Sequence, residues 1–339
     1  MCATYWLRTS DVKFLENKHC VLENLQMLTL TLRRLLATIP VMAIVAIIVF
    51  SLLYLTPGDP AAVLAGEQAT AADIEQLRRT LGLDQPYVVR FGQWISAVFQ
   101  GDLGTSIFSQ RPVMELIIQR LEPTIALTIA SLIIAVTIAV PLGVIAAWRA
   151  GGLIDRMAMS FAVLGFSVPV FVLSYLLIAV FAVNLKILPV QGYVPIAYGF
   201  WPFLKHLILP AISLGIINAA LIARITRTTM IEVLNQDYIR AARAKGLSVP
   251  RVLIRHALKN AAVPIVTVIG ISFALLISGV VVTETVFNIP GLGRLTVDAI
   301  LRRDYPVIQG VILVFSATYV VVNLLIDLSY GLFDPRIKY

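Results

Sequence analysis

Long apolar stretches with few charges recur along the whole chain. A helix needs roughly 20 mostly apolar residues to cross about 30 Å of hydrocarbon. Six stretches approach or exceed this length, at Leu35–Leu55, Thr124–Ala147, Met157–Val183, Leu207–Ala223, Ala261–Val286 and Val307–Tyr330. The fourth is the weakest, because Pro210 and Gly215 interrupt it. The pattern therefore predicts an all-α integral membrane protein with six transmembrane helices.

The longest polar segment, residues 56–122, separates the first two predicted spans and contains signals for two short helices. Thr70 followed by Asp73 is typical of a helix N-cap, and Gly82 suits the end of that helix. Pro86 suits the first turn of a second helix. The apolar face of this second helix would contain Phe91, Ile95, Val98 and Phe99. Both a lid that packs on the spans and a docking surface for a soluble partner fit this pattern.

A second polar segment, residues 224–260, contains eight basic residues and lies between the fourth and fifth predicted spans. Helix-forming residues run through Asp237–Lys245, and Gly246 permits the left-handed turn that ends a helix. Ser248 is a suitable N-cap for a further helix, with Pro250 in its first turn. The segment is predicted to form two short helices joined by a glycine elbow. It would serve as a rigid contact for a cytosolic partner or as an anchor to acidic lipid headgroups.

Composition and charge agree with a membrane protein. Hydrophobic residues make up 59% of the chain and charged residues only 14%, with a mean hydropathy of +0.88. The net charge of +8 is unevenly distributed. If residues 56–122 face outside, 17 lysines and arginines fall in cytosolic segments and 10 outside, as the positive-inside rule requires. Both termini are then cytosolic, and the basic charge is a topology signal that argues against nucleic-acid binding.

Residues that could support catalysis are sparse. Cys2 and Cys20 precede the first span and indicate neither a disulfide framework nor a metal site. The sequence contains no H-E-x-x-H and no G-x-S-x-G, so an intramembrane enzyme is a remote alternative. It also contains no G-x-x-x-x-G-K-[ST] phosphate loop. Energy for any transport must therefore come from another polypeptide or from an ion gradient, and no catalytic, metal or cofactor-binding residue is assigned.

A secondary transporter driven by an ion gradient is the alternative from a different class. Such proteins carry charges or broken helices near mid-membrane and often contain inverted repeats. Here Glu284 and Asp327 lie near opposite ends of their spans, and no inverted repeat is evident. The interruptions at Pro141–Gly143 and Gly165–Pro169 are interpreted as structural kinks. Glu284 is interpreted as a satisfied interfacial carboxylate, with a gate or a partner contact as the alternative.

The 224–260 segment also carries a motif. Ala241-Ala242-x-x-x-Gly246 resembles the Glu-Ala-Ala-x-x-x-Gly loop in permease subunits of ABC importers, with Arg240 in place of the glutamate. His256 and Lys259 depart from that loop's usual hydrophobic and proline positions. The string DYIRAARAKGLS, followed by HALKNA, is nevertheless similar to the dipeptide/oligopeptide/nickel branch. Five further motifs occur in order, RRLLATIP at 33–40, PGDP at 57–60, GDLGTSI at 101–107, ETVFNIPGLG at 284–293 and, after Asp327 and Tyr330, DPRI at 334–337.

The resemblance extends from Met27 to Tyr339 and implies a type I ABC importer permease architecture. Residues 1–26 fall outside it, and Met27 is an alternative start to Met1. The implied organisation is a cytosolic tail (1–34), a first span (35–55), an extracytoplasmic loop with short helices (56–122), a permease domain (123–331) with a coupling loop (224–260), and a second cytosolic tail (332–339).

The resemblance also implies a function. The elbow would be a coupling helix that docks on a cytosolic ATPase through Tyr238, Ala241, Ala242, Gly246 and Leu247. The implied partners are a second permease chain, two ATP-binding subunits that hold ATP and Mg²⁺, and an extracytoplasmic solute-binding protein. This chain would perform no chemistry itself and would lie in the bacterial cytoplasmic (inner) membrane. Di- or oligopeptides are the expected solutes, with nickel, glutathione or another small solute as alternatives.

Overall fold

A computed structural model describes residues 35–52, 61–62, 69–80, 82 and 84–333, and most of these residues are helical. The predicted N-terminal tail, residues 334–339 of the predicted C-terminal tail, and the motifs at 57–60 and 334–337 lie outside the described residues, whereas residues 332–333 belong to the last helix. The helices are α1 (Leu35–Leu52), α2 (Ala71–Thr80), α3 (Tyr87–Phe99), α4 (Val113–Trp148), α5 (Leu153–Ser167), α6 (Val170–Leu177), α7 (Phe200–Leu234), α8 (Asp237–Ala244), α9 (Val249–Arg251), α10 (Ala262–Val286), α11 (Leu292–Arg302) and α12 (Tyr305–Phe333).

Apolar length confirms the predicted membrane architecture. α1, α4, α7 and α12 are each long and apolar enough to cross a membrane. Two bent pairs supply up to two more spans. One pair is α5 with α6, which continues as a π-helix over Ile178–Asn184. The other is α10 with the helix before it, in which α9 continues as a π-helix over Val252–Leu258. The described part of the chain is therefore a helical membrane protein with four to six spans, and it reaches the predicted six if each bent pair crosses the membrane once.

The predicted third span is sharply broken. α5 and α6 are bent by 102° at their junction. Val168, between them, has extended backbone angles (φ −89°, ψ 122°), because a proline disfavours the helical conformation in the residue before it. Pro169 was expected to kink a single helix, and that expectation understated its effect.

The predicted fourth span, in contrast to the third, is one unbroken helix. α7 is continuous over 35 residues, although it contains both Pro210 and Gly215. A Cβ on Gly215 would lie 2.8 Å from Ile134 Cγ2 on α4, and a Cβ on Gly143 of α4 would lie 2.7 Å from Thr226 Cβ on α7. These glycines therefore allow α4 and α7 to pack at short distance, as small residues do between membrane helices. Residues 224–234 belong to α7, so the separate elbow begins at Asn235.

The N-cap prediction for α2 is confirmed. The backbone N–H of Thr70 donates to Asp73 Oδ2 (3.0 Å), and the backbone N–H of Asp73 donates to Thr70 Oγ1 (3.3 Å). These reciprocal bonds satisfy donors that a helix start leaves free. The Thr70 hydroxyl also donates to Asp73 Oδ2 (2.7 Å), and this bond, followed by the one from the Thr70 N–H, holds the pKa of the Asp73 carboxyl below its ordinary value. Gly82 has the left-handed φ of +61° expected after the helix end.

The second short helix, α3, packs on α1 through aromatic side chains. The Phe50 ring lies 5.4 Å from that of Phe91 and 5.3 Å from that of Trp94, between ring centroids. Ile95 and Val98 pack against the neighbouring apolar cluster, as predicted. The prediction was wrong for Phe99, which is 85% exposed because it points away from the packed face.

α4 and α10 connect two ends of the bundle. We call one of them the clasp end, after the contacts of Glu284 described below, and it contains residues 101–124, 187–199 and 284–306. The elbow end contains residues 148–156 and 235–260. Contacts between Thr124 and Glu284 at the first end, and between Trp148 and the elbow at the second, establish this arrangement.

Candidate functional site

The elbow has the backbone geometry that the sequence predicts. α8 ends at Ala244, and Gly246 has a left-handed φ of +77°. The N–H of Gly246 donates to the carbonyl of Arg243 (2.9 Å), and the N–H of Leu247 donates to the carbonyl of Ala242 (3.3 Å). A Cβ at Gly246 would meet no atom within 4 Å. Glycine is therefore required here by the backbone conformation and not by lack of space.

α9 begins where the sequence predicts, but the predicted hydrogen bond from its N-cap side chain is not formed. Ser248 occupies the N-cap with a non-helical backbone, and Pro250 lies in the first turn. The Ser248 side chain makes no capping hydrogen bond. Its carbonyl accepts the N–H of Val252 (3.0 Å), which is the first bond of the helix. The helix start therefore depends on backbone geometry and proline, and the expected hydroxyl cap was wrong.

The five residues expected at an ATPase contact divide into two groups. Tyr238, Ala241 and Gly246 are exposed, with Tyr238 44% accessible. Ala242 is buried, and Leu247 is half-buried against the apolar cluster beneath the elbow. The small side chain of Ala242 thus lets α8 approach the chain's own bundle, while the first group faces away from it.

Apolar contacts fix the elbow to the spans. Ile239 on α8 is fully buried in a cluster that includes Met230 of α7 and Ala147 of α4. A cavity of about 160 Å³ remains beneath the turn, lined by Trp148, Arg243, Leu247, Val249, Val252 and Leu253. Two charged residues of α8, Asp237 and Arg240, point outward and form an exposed pair at 3.4 Å. The elbow therefore combines a fixed base with an exposed polar surface.

An ion pair between the buried Asp155 and the half-buried Arg227 supports the neighbouring turn at the elbow end. Asp155 accepts hydrogen bonds from Arg227 Nε and Nη2, the latter at 2.7 Å, and from the N–H of Gly151 at 2.8 Å. The guanidinium of Arg227 and the carboxylate of Asp155 thus neutralise each other's charge. The pair ties the start of α5 to α7. Sequence reasoning did not identify it, because the two residues are 72 positions apart.

At the clasp end, the central residue is Glu284, which is fully buried. Its Oε1 accepts from Thr124 Oγ1 (2.5 Å), and its Oε2 accepts from the backbone N–H of Arg294 (2.9 Å). Thr124 Oγ1 also accepts the N–H of Leu292 at 2.8 Å. These contacts, here called the clasp, join α4, α10 and α11. They confirm that the carboxylate of Glu284 is satisfied, and they place it inside the protein.

Two glycines of the ETVFNIPGLG motif form the space for the clasp. A Cβ on Gly291 would overlap the Glu284 carboxylate, and a Cβ on Gly293 would lie 2.6 Å from Val281 Cα. A contact with backbone cannot be relieved by turning a side chain. This explains the G-L-G spacing, which sequence reasoning matched as a motif without a physical reason.

Two further carboxylates at the clasp end accept bonds from distant segments. Asp304 is buried and accepts from Ser106 Oγ (2.5 Å) and from the N–H of Ile107 (3.2 Å). Glu122 accepts from the hydroxyl of Tyr193 and the N–H of Ile196, both at 3.1 Å. The GDLGTSI motif is thus the segment that attaches residues 101–112 to the turn before α12.

Comparison with known protein families agrees with this geometry. Residues 139–339 match the family described as binding-protein-dependent transport system inner membrane component. Residues 27–128 match the N-terminal region described for the membrane components of such systems. The chain belongs to the family of binding-protein-dependent transport system inner membrane components.

Curated relatives match over most of their length. The chain is 56% identical over 308 residues to a probable peptide ABC transporter permease protein, y4tP, of Sinorhizobium fredii, covering 91% of this chain and 98% of that protein. It is 46% identical over 314 residues to the glutathione transport system permease protein GsiC of Salmonella typhimurium and of Escherichia coli K12, covering 92% of this chain and all of each relative.

A solved structure supports the fold. The inward-facing methionine ABC transporter MetNI contains a chain with a TM-score of 0.55 and 19% identity, covering 65% of this chain and 97% of that one. Together, the family, the relatives and the fold show that this chain is a multi-pass membrane permease subunit of an ATP-driven ABC importer. This confirms the family resemblance and the permease assignment predicted from the sequence.

Proposed function

We propose that this permease transports di- or oligopeptides and that its elbow docks on a separate ATPase subunit. The observation that carries the docking proposal is the elbow itself. It has a fixed apolar base, a left-handed turn at Gly246 and an exposed outer surface. ATP binding and hydrolysis in the partner would move this surface, and the rigid attachment to α4 and α7 would transmit the movement to the spans.

The relatives support the choice of solute. One relative is named as a peptide transporter permease and the other as a permease for glutathione, which is a tripeptide. Both solutes carry amide groups and terminal charges that a peptide pathway must accept. Peptides are therefore the proposed substrate class. Nickel, glutathione or another small solute is the alternative within the family.

Besides this chain, the proposed assembly contains a second permease chain, two ATP-binding subunits that hold ATP and Mg²⁺, and an extracytoplasmic solute-binding protein. This chain then supplies the pathway and no catalytic group or cofactor. Its membrane is the bacterial cytoplasmic membrane, with the elbow end and both termini in the cytosol. The distribution of lysine and arginine supports this orientation.

At the elbow, Tyr238, Ala241 and Gly246 are proposed to contact the ATPase directly. Ala242 and Leu247 are proposed to act from the inner side by holding α8 in position. The first group is exposed and the second is packed inward. The Tyr238 phenol would offer an uncharged contact, because the ordinary pKa of tyrosine is about 10 and partial burial raises the pKa of this phenol further.

The coupling proposal is tested by comparing Gly246→Val with Gly151→Val. Both glycines have left-handed φ values, +77° and +80°, and neither has an atom within 4 Å of a built Cβ. Both lie at the elbow end, so the two variants impose similar backbone strain. Gly246→Val is expected to insert in the membrane yet lose at least about tenfold in uptake and in solute-stimulated ATP hydrolysis. Gly151→Val is expected to retain both activities. Equal activity of the two variants would contradict the elbow assignment.

The assembly is tested by purifying the tagged chain in mild detergent from its native membrane. Mass spectrometry should identify two ATP-binding subunits, a second permease and a binding protein, and the solute eluted from that binding protein should be a peptide. Uptake should stop when ATP is depleted. Isolation of the chain alone, together with uptake driven by an ion gradient, would instead support a secondary transporter.

A further inference from the structure

A cavity of about 230 Å³ lies beside the clasp. Its lining is mostly apolar with a few hydroxyl groups and comes from α4, α10, α11 and α12, at Leu121, Thr124, Ile125, Thr128, Ile129, Phe273, Ile277, Leu292, Phe315 and Thr318. Two of the lining residues, Thr124 and Leu292, are also members of the clasp. The clasp therefore forms part of the cavity wall at the clasp end.

We propose that α11 is a lid over this cavity and that Glu284 and Thr124 form the latch that holds the lid closed. The latch joins three helices through one carboxylate and one hydroxyl, because Thr124 lies on α4, Glu284 on α10 and the two backbone donors on α11. Opening of the latch would separate the start of α11 from α4. The inference rests on the proposed function, in which this chain supplies the solute pathway, and adds that this cavity opens onto that pathway.

The ends of α11 are suited to a hinged movement. Its far end is fixed by Asp304, which is bonded to Ser106 and Ile107. Immediately before Asp304, Arg303 has a left-handed φ of +57° and so ends the helix. The near end is held to α4 and α10 through the latch. Loss of the latch would free the near end while the far end stays attached.

The chemistry of the latch suits a reversible closure. Hydrogen bonds inside a protein can be exchanged for bonds to water at modest net cost, provided that water reaches both partners. Water entering from the clasp end would supply donors to Glu284 and a partner for Thr124. Without water, breaking the same bonds leaves a buried carboxylate unsatisfied, which is costly. The latch would therefore stay closed in the sealed state and open together with hydration of the cavity.

The test measures access to the cavity. Thr128 lines it and is buried, so Thr128→Cys provides a reporter thiol. Cys2 and Cys20, the two cysteines in the sequence, are changed to serine to remove background labelling. The full complex in its membrane is treated with a membrane-impermeant maleimide on the extracytoplasmic side. Adding Thr124→Val, which removes the hydroxyl at nearly constant volume, is expected to increase the labelling rate about tenfold.

Two variants serve as controls on the same background. Thr124→Ser retains the hydroxyl and should label at the parent rate. Thr137→Val removes a hydroxyl from an exposed position on the same helix, where it bonds only carbonyls of α4. It should also label at the parent rate. Parent-rate labelling in Thr124→Val, at a normal level of complex in the membrane, would overturn the latch.

If Thr124→Val does not accumulate, Glu284→Gln replaces it. The amide keeps the side-chain volume and one acceptor oxygen, so a smaller rise of about threefold is expected. No rise in this variant would likewise overturn the latch. Labelling requires no transport, and ATP-driven uptake of the parent is measured separately. Absence of uptake in the parent would contradict the proposed function, whereas unchanged labelling contradicts only the latch.

Discussion

The two ends of the bundle are stabilised in different ways. At the clasp end, Glu122, Glu284 and Asp304 each accept hydrogen bonds from residues far away in the chain. At the elbow end, the elbow is held mainly by apolar contacts of Ile239 and Leu247, and Asp237 and Arg240 face outward. The clasp end thus satisfies its polar groups within the chain. The elbow leaves polar groups available for a partner.

Because the two ends are stabilised by different contacts, mutations at each end should have different effects on folding stability and on coupling. Removing one partner from a buried hydrogen bond to a charged group costs about 1–3 kcal/mol of folding free energy. An exposed ion pair such as Arg240–Asp237 contributes close to nothing. Variants at the clasp end should therefore lower stability, and variants on the outer face of the elbow should lower coupling while leaving stability unchanged.

The largest stability loss is expected for Gly293→Ala. Its Cβ would lie 2.6 Å from the backbone Cα of Val281, so α10 and α11 would have to separate. We expect a loss of about 3 kcal/mol, seen as a lower midpoint of thermal unfolding in detergent. Gly92→Ala is the control, because a Cβ there meets no atom within 4 Å. Equal midpoints for the two variants would show that the clasp end is not tightly packed.

A smaller loss is expected for Asp304→Ala. The substitution leaves the hydroxyl of Ser106 and the N–H of Ile107 without their buried acceptor, at a cost of about 2 kcal/mol. Ser106→Ala and the double variant complete a thermodynamic cycle, measured by the same unfolding assay. We expect a coupling free energy of about 1 kcal/mol. Strict additivity would mean that the contact contributes nothing to the attachment of residues 101–112.

The smallest stability effect is expected at Asp155 and depends on pH. Because the ion pair with Arg227 requires the ionised carboxylate of Asp155, its contribution to stability is present at neutral pH and is lost when acid protonates that carboxylate. Asp155→Asn should cost about 1 kcal/mol at neutral pH and should weaken the acid dependence of stability below about pH 4. Asp237→Asn, at a fully exposed side chain, should change neither quantity. An unaltered acid dependence in Asp155→Asn would contradict the ion pair.

The spans and the elbow were predictable because their signals are local. Transfer to lipid depends on one continuous apolar stretch, and the turn at Gly246 depends on one residue with unusual backbone freedom. The clasp was not predictable, since it joins Thr124 to Glu284 over 160 positions and Ser106 to Asp304 over 198. Sequence periodicity does not indicate which carboxylate meets which hydroxyl. The outward orientation of Phe99 and the inward orientation of Ala242 likewise follow from packing between helices.

Site-specific photocrosslinking identifies the partner that contacts the outer face of the elbow. A photoreactive phenylalanine derivative replaces Tyr238 on the outer face of the elbow or, as the control, Tyr198 near the clasp end, and both positions are exposed. The complex is irradiated in its native membrane, and the crosslinked partners are identified by mass spectrometry. The account predicts that position 238 captures an ATP-binding subunit and that position 198 does not. Capture of that subunit from position 198 alone, or of lipid alone from position 238, would contradict it.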